Sequence, residues 1–128
     1  MRLLLDTHAI LWFVWAHPNL SPAASRLLAD PINSLLVSAG SIWEIAIKVS
    51  LGKLTLATPY EEFMHGVIKE NGFEILPITV THAHVLTTLP FHHRDPFDRL
   101  MVAQALTEGL PIISADTAFD LYPVERLW

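Results

Sequence analysis

Four carboxylates fall where the chain passes from one kind of local pattern to another. Asp6 ends the apolar run "RLLL" of residues 2 to 5, Glu44 lies within "SIWEIAIKVSLGK", Asp98 stands where an apolar helical pattern begins in "HHRDPFDRLMVAQAL" (residues 92 to 106), and Asp116 follows "LPIIS". Two carboxylates about 6 Å apart repel by about 3 kcal/mol at an effective dielectric near 20, so four at one place require a compensating cation. The chain has no cysteine, which removes thiolate ligands and disulfides. Hard oxygen donors then point to Mg²⁺ or Mn²⁺, held by a few carboxylates while water and substrate oxygens fill the remaining positions.

Each acid also has an ordinary explanation. Asp6 with Thr7 reads equally well as a helix cap. Glu44 and Lys48 are spaced i,i+4, a solvated pair worth only about 0.2 to 0.5 kcal/mol. Glu44 nevertheless sits among Ile42, Trp43, Ile45, Ala46 and Ile47, and a carboxylate in apolar surroundings needs a partner. Asp95 before Pro96 is an N-cap and first-turn pair, which leaves Asp98 either to complement the helix dipole or to reach across a cleft. Asp116 and Asp120 can cap and decorate the turn "ADTAFD". Singly none is decisive, and the case rests on whether the fold gathers them.

The elements needed for that gathering are legible as an alternation. "RLLL" is a buried strand and "HAILWFVWA" has helical spacing; "SPAASRLLAD" opens with a Ser21 cap and Pro22, and "NSLLVS" is a second strand. "SIWEIAIKVSLGK" and "TPYEEFMHGVIKENG" are helices stopped by Gly52 and Gly72, separated from the helix "TVTHAHVLTTL" by the strand "FEILPI". The helix begun at Pro96 ends at Gly109, "LPIIS" is a fourth strand, and "PVERLW" contains a last short one. Strands alternating with helices imply crossover connections and a parallel sheet covered on both faces, an α/β sandwich. Ligands of open α/β sheets bind beyond the carboxyl ends of the strands. Asp6, Glu44 and Asp116 are placed there, and Asp98 joins them if its helix starts at the same edge.

Length and composition agree with one domain over residues 1–128: the chain is 128 residues long and 52% apolar, with nine prolines spread between periodic segments and no repeat or low-complexity tract. No apolar run approaches the ~18 residues of a membrane span. Cysteine-free composition fits a cytoplasmic location. A formal net charge of -5 argues against a broad basic face for nucleic acid, though not against a local groove. Mean hydropathy of +0.39 and four tryptophans imply apolar surface left for an interface. Trp12 and Trp15, three apart in "ILWFVW", suit a core stripe or an interface anchor equally.

The segments "LLLDTHAILW", "SIWEIAIKVSLGKL", "HHRDPFDRLMVAQA" and "IISADTAFDLY", in this order and spacing, resemble those of the PIN-domain ribonucleases, and within them the VapC-like toxins of bacterial and archaeal toxin–antitoxin pairs. The resemblance covers nearly the whole chain. It implies a three-layer α/β/α sandwich around a central parallel sheet. Asp6, Glu44, Asp98 and Asp116 become the catalytic, metal-binding quartet, with Thr7 in support and Asp95 kept as a cap within one turn of the site. The implied activity is Mg²⁺- or Mn²⁺-dependent endonucleolytic hydrolysis of RNA, leaving a 5′-phosphate and a 3′-hydroxyl. The implied partners are a cognate antitoxin and a second copy of the chain. Arg94, Arg99, Lys48 and Lys53 lie close to the acids in sequence and are candidates for phosphate contacts.

Other readings fit less well. A haloacid-dehalogenase-like aspartyl phosphotransferase needs a second Asp two residues after the first, where this chain has His8, and a receiver domain needs an acid pair and a late lysine that are missing. His82, His84, His92 and His93 offer imidazole for zinc, but His82 and His84 point to different sides of a helix, and surface or core histidines are the simpler reading. A non-catalytic module of the same fold would bind no metal through these acids.

Overall fold

The strands are as short as their apolar runs allow, and all of them enter one sheet. In the computed structural model, which describes Met1–Trp128, the order is β1 (Arg2–Leu5), α1 (Thr7–Val14), α2 (Pro22–Ala29), β2 (Ser34–Ser38), α3 (Ala39–Ser50), α4 (Tyr60–Asn71), β3 (Glu74–Leu76), α5 (Val80–Thr88), α6 (Pro96–Glu108), β4 (Ile112–Ile113), a 3₁₀ turn (Thr117–Leu121) and β5 (Arg126–Leu127). The sheet runs β3-β2-β1-β4-β5 and every pairing is parallel.

Alternation along the strands divides the core in two. Leu4 and Leu36 face one side, where Met101, Val102 and Ala105 of α6 cover them with Phe119 and Tyr122. Leu3, Leu5, Leu35 and Val37 face the other, under Ala9 and Ile10 of α1, Ala24 and Leu28 of α2 and Val67 of α4. With both faces of the strands buried, the runs read as continuous apolar sequence rather than as alternating polar and apolar residues. The result is the expected α/β/α sandwich.

Local chemistry sets the helix ends. Ser21 Oγ accepts from Ala24 N ahead of Pro22, and the Asp95 carboxylate accepts from Phe97 N and Asp98 N ahead of Pro96. Helices α4 and α6 stop at Gly72 and Gly109, both in the left-handed region (φ 62° and 67°). Two boundaries differ from the sequence pattern. The run "FEILPI" pairs only over Glu74–Leu76, opposite Leu36–Ser38, and β2 ends at Ser38 where α3 begins. Helix α1 ends at Val14, so Trp15 lies beyond it and is exposed, while Trp12 packs against His8, His17 and Trp128.

Two features of this architecture position the site. The chain builds outward from β1 to β3 and then returns to the other side of β1 with β4, so connections diverge between β1 and β4, the place where such sheets open a crevice. There Leu5 is paired with both Val37 and Ile113, which sets Asp6 level with Ser38 and Ser114 one residue further on. Helix α6 also lies close on the start of α3: a Cβ on Gly40 would stand 2.5 Å from Leu100 Cδ2. That approach brings the first turn of α6 to the acids of β1 and α3.

Candidate functional site

Asp6 occupies the N-cap position of α1, yet its side chain makes no capping hydrogen bond. The carboxylate instead accepts from Ser114 Oγ at 2.7 Å, across the β1–β4 opening and 108 residues away in sequence. Ser114 Oγ in turn accepts from Asp116 N at 3.0 Å, so one hydroxyl ties the ends of β1 and β4 together. The capping explanation for Asp6 therefore fails on geometry: a carboxylate 7% exposed is held out of the helix and toward the crevice.

Glu44 is buried on the inward face of α3, with Oε1 accepting from Thr7 Oγ1 at 2.7 Å and Oε2 2.9 Å from Lys48 Nζ. The Thr7 and Ser41 hydroxyls are 3.0 Å apart and complete this link between α1 and α3. The expected i,i+4 pair thus exists, but one of its members is buried and shared with Thr7.

Asp98, in the first turn of α6, leaves the helix N–H groups to Asp95. Its carboxyl is pushed up to about 7, first by burial and then by the neighbouring charges of Asp6, Asp95 and Glu44, with His93 pulling the other way. Asp6 is likewise raised, chiefly by burial, with Glu44 adding to it and the Ser114 hydrogen bond opposing it. A carboxyl raised by burial together with neighbouring carboxylates marks a candidate functional site. Asp116 caps the 3₁₀ turn through Oδ1, which accepts from Ala118 N, while its Oδ2 turns toward the imidazole of His93.

His93 is the residue the sequence reading left aside. Its Nε2 lies 3.0 Å from Asp98 Oδ2 and 3.3 Å from Asp116 Oδ2, and the three residues can bring one ligand atom each within 4.8 Å of one another. Of the other histidines weighed as zinc ligands, His82 is buried against Glu108, His84 is exposed and His92 packs edge-on to Tyr122. They do not form a set. Ser114 and Ser41 were also passed over; the signal for Ser114 was its place one residue after β4, level with Asp6.

The basic residues separate. Lys48 is at the site, paired with Glu44, and Arg94 and Lys53 are exposed. Arg99 is a correction. Although next to Asp98 in sequence, it is 5% exposed, and its guanidinium donates to the carbonyls of Pro90, Leu86 and Leu89 and to Tyr122 Oη, beneath the ring of Phe91. Successive helical positions are about 100° apart, so Arg99 faces α5 while Asp98 faces the crevice. It caps the carboxyl end of α5, where free carbonyls and the helix dipole favour a cation.

Known proteins resemble this chain in sequence and in fold. The family model described as "PIN domain" matches residues 3–125. The chain belongs to the PIN-domain family. Ribonuclease VapC16 of Mycobacterium tuberculosis is 38% identical over 72 residues, 53% of this chain and 50% of that protein. Ribonuclease VapC22 of the same organism is 29% identical over 114 residues, 88% of this chain and 85% of that protein. Among solved structures, VapBC2 from Rickettsia felis bound to a DNA fragment from their promoter superposes with a TM-score of 0.73 at 14% identity, covering 99% of this chain and 98% of that one. The family model thus covers residues 3–125. No helix is long and apolar enough to cross a membrane.

Proposed function

We propose that this PIN domain, residues 1–128 acting as one unit, is a Mg²⁺- or Mn²⁺-dependent endoribonuclease and the toxin of a cytoplasmic toxin–antitoxin pair. One observation carries the reading. Asp98 is pushed up to about 7, first by burial and then by the charges of Asp6, Asp95 and Glu44, and its carboxylate shares the His93 imidazole with Asp116. The donor set fits the ion, being all oxygen and without sulfur. The names of the similar proteins from Mycobacterium tuberculosis support RNA as the substrate. The complexes among the structural neighbours support an antitoxin partner.

Asp6, Glu44, Asp98 and Asp116 would hold the dication. When bound it supplies a water of lowered pKa and a positive charge facing the phosphoryl oxygens. The chain's own residues do the rest. Ser114 fixes the Asp6 carboxylate and Thr7 fixes Glu44, so neither acid must be ordered on substrate arrival. Lys48 offsets part of the charge at Glu44 and is placed for a phosphate oxygen. The amino ends of α1, α3 and α6 all open on this edge and favour an anionic substrate. The exposed apolar residues Trp43 and Leu51 of α3 and its C-cap suit a second copy of the chain or the antitoxin.

The test is cleavage of a defined RNA by the purified chain with Mn²⁺, with Mg²⁺ and with chelator, and the same with Asp6→Asn and Asp98→Asn. Metal-dependent cutting that leaves a 5′-phosphate, lost by at least about 100-fold in both variants, is expected, since even partners of metal ligands are worth 10- to 100-fold. Undiminished cutting by both variants would overturn the proposal.

A further inference from the structure

His93 sits between two of the proposed ligands without belonging to either of their elements. Asp98 comes from α6 and Asp116 from the loop after β4, and the imidazole Nε2 contacts both, hydrogen-bonding Asp116 at 3.3 Å and touching Asp98 at 3.0 Å. The set His93, Asp98, Asp116 has the look of three metal ligands. The other ring nitrogen decides against that. His93 Nδ1 accepts a hydrogen bond from Asp95 N at 3.1 Å, so Nδ1 carries the lone pair and the neutral ring carries its hydrogen on Nε2. A nitrogen that bears a hydrogen cannot ligate. The tautomer that would free Nε2 sets an N–H of the ring against the N–H of Asp95.

The segment that carries the ring is held by further contacts. Asp95 is the N-cap of α6, so the N–H that fixes the tautomer belongs to the residue that starts the helix carrying Asp98. His93 N donates to Tyr122 Oη at 3.0 Å, and Tyr122 Oη donates to Pro90 O at 2.9 Å, which Arg99 also holds. Tyr122 and Arg99 are both buried, so the bend over residues 90–95 is tied to the body of the protein.

On the reading that these acids hold a dication, we infer that His93 is a positioning residue and not a ligand: its Nε2–H, locked by the Asp95 N–H, holds the Asp98 and Asp116 carboxylates beside each other for the ion. Two acids from separate elements are kept beside each other, each with its Oδ2 against the ring Nε2. Outer partners of this kind are worth about 10- to 100-fold in metal affinity.

The experiment is Mn²⁺ titration of the full chain by calorimetry, with pulsed electron paramagnetic resonance of the Mn²⁺-loaded wild type. The variants are His93→Ala, His93→Gln and Asp98→Asn. His93→Ala is expected to weaken Mn²⁺ binding about 10- to 100-fold. Glutamine can place an amide N–H where Nε2–H was, so His93→Gln is expected to bind within a few-fold of wild type. The wild-type spectrum is expected to show no nitrogen bound directly to Mn²⁺. A directly coordinated nitrogen, wild-type affinity in His93→Ala, or failure of glutamine to restore binding would each overturn the inference. The spectrum decides even if His93→Ala does not fold. Asp98→Asn separates the two levels: if it also binds Mn²⁺ as wild type does, the metal site itself is wrong, whereas loss in Asp98→Asn with none in His93→Ala removes only the role of His93.

Discussion

Two histidines in this chain meet carboxylates in nearly the same way and to different ends. His82 Nδ1 accepts from Thr79 N at 3.1 Å and Nε2 lies 2.8 Å from Glu108 Oε1; His93 Nδ1 accepts from Asp95 N at 3.1 Å and Nε2 reaches Asp98 and Asp116. In both, a main-chain N–H fixes the tautomer and a carboxylate takes the ring hydrogen. The difference lies in what else is present. His82 is fully buried, faces one acid, and closes a capping box at the start of α5. His93 faces two acids, with Asp6 and Glu44 adding to the charge felt by one of them. A histidine–carboxylate contact is thus a structural joint where the charge closes on itself, and part of a site where a surplus is left over.

The comparison breaks most visibly at the closed joint. Replacing His82 by alanine empties a buried volume, removes the capping box and leaves Glu108 without its partner, for a combined loss of about 2 to 4 kcal/mol. Urea unfolding should show that loss, while Mn²⁺ affinity of the folded variant stays at the wild-type value. A large change in affinity would mean that the two centres are coupled, and the distinction between joint and site would fall.

The open centre should respond to pH, and the sign follows from Asp98. Its folded pKa of about 7 stands above the ordinary 3.8, so the folded chain binds more protons than the unfolded one between those values. This group's contribution to metal-free stability therefore falls as pH rises from about 4 to about 7. Metal and proton compete for the same oxygens, so Mn²⁺ affinity runs the other way. One displaced proton with a pKa of about 7 strengthens binding about 30-fold from pH 5.5 to pH 8. Thermal melts with and without Mn²⁺ at both pH values check this; an Mn²⁺-induced rise in Tm that is equal at the two would exclude Asp98 as a ligand. His82→Ala should leave this pH dependence intact.

What could be read from the chain, and what could not, divides along the same line as the two histidines. The strand–helix order was legible because its signals are local: Ser21 before Pro22, Asp95 before Pro96, Gly72 and Gly109 after their helices. Asp6, Glu44 and Asp116 could be assigned to one edge because the alternation implies a parallel sheet, whose strands all end there, while Asp98 joined them through the resemblance. Contacts that depend on tertiary approach were not. Nothing near Asp6 announces that its side chain will ignore α1 and bond Ser114. The bend that turns His93 onto Asp116 is anchored by Tyr122, 29 residues away. The paired stretches Glu74–Leu76 and Ile112–Ile113 are shorter than the apolar runs "FEILPI" and "LPIIS", because parallel pairing is set by neighbours that local sequence does not specify.

The smallest expected effect concerns the residue that stands between the two centres. Arg99 looked in sequence like a phosphate contact beside Asp98; in the fold its guanidinium joins the carboxyl end of α5, whose first turn holds His82, to the bend that carries His93. Lysine keeps the charge but not the planar fork that reaches several carbonyls at once, so Arg99→Lys should lower stability by about 1 to 2 kcal/mol. A phosphate contact would behave otherwise. Removing one changes the slope of log affinity against log salt for RNA by about 1, whereas a change of buried fork geometry leaves that slope alone. Arg99→Lys should therefore unfold at lower urea yet bind RNA with the wild-type salt slope, and Lys48→Ala, at the open centre, should shift the slope with little loss of stability. The reverse pattern would return Arg99 to the RNA-binding surface and make the bend over residues 90–95 part of it.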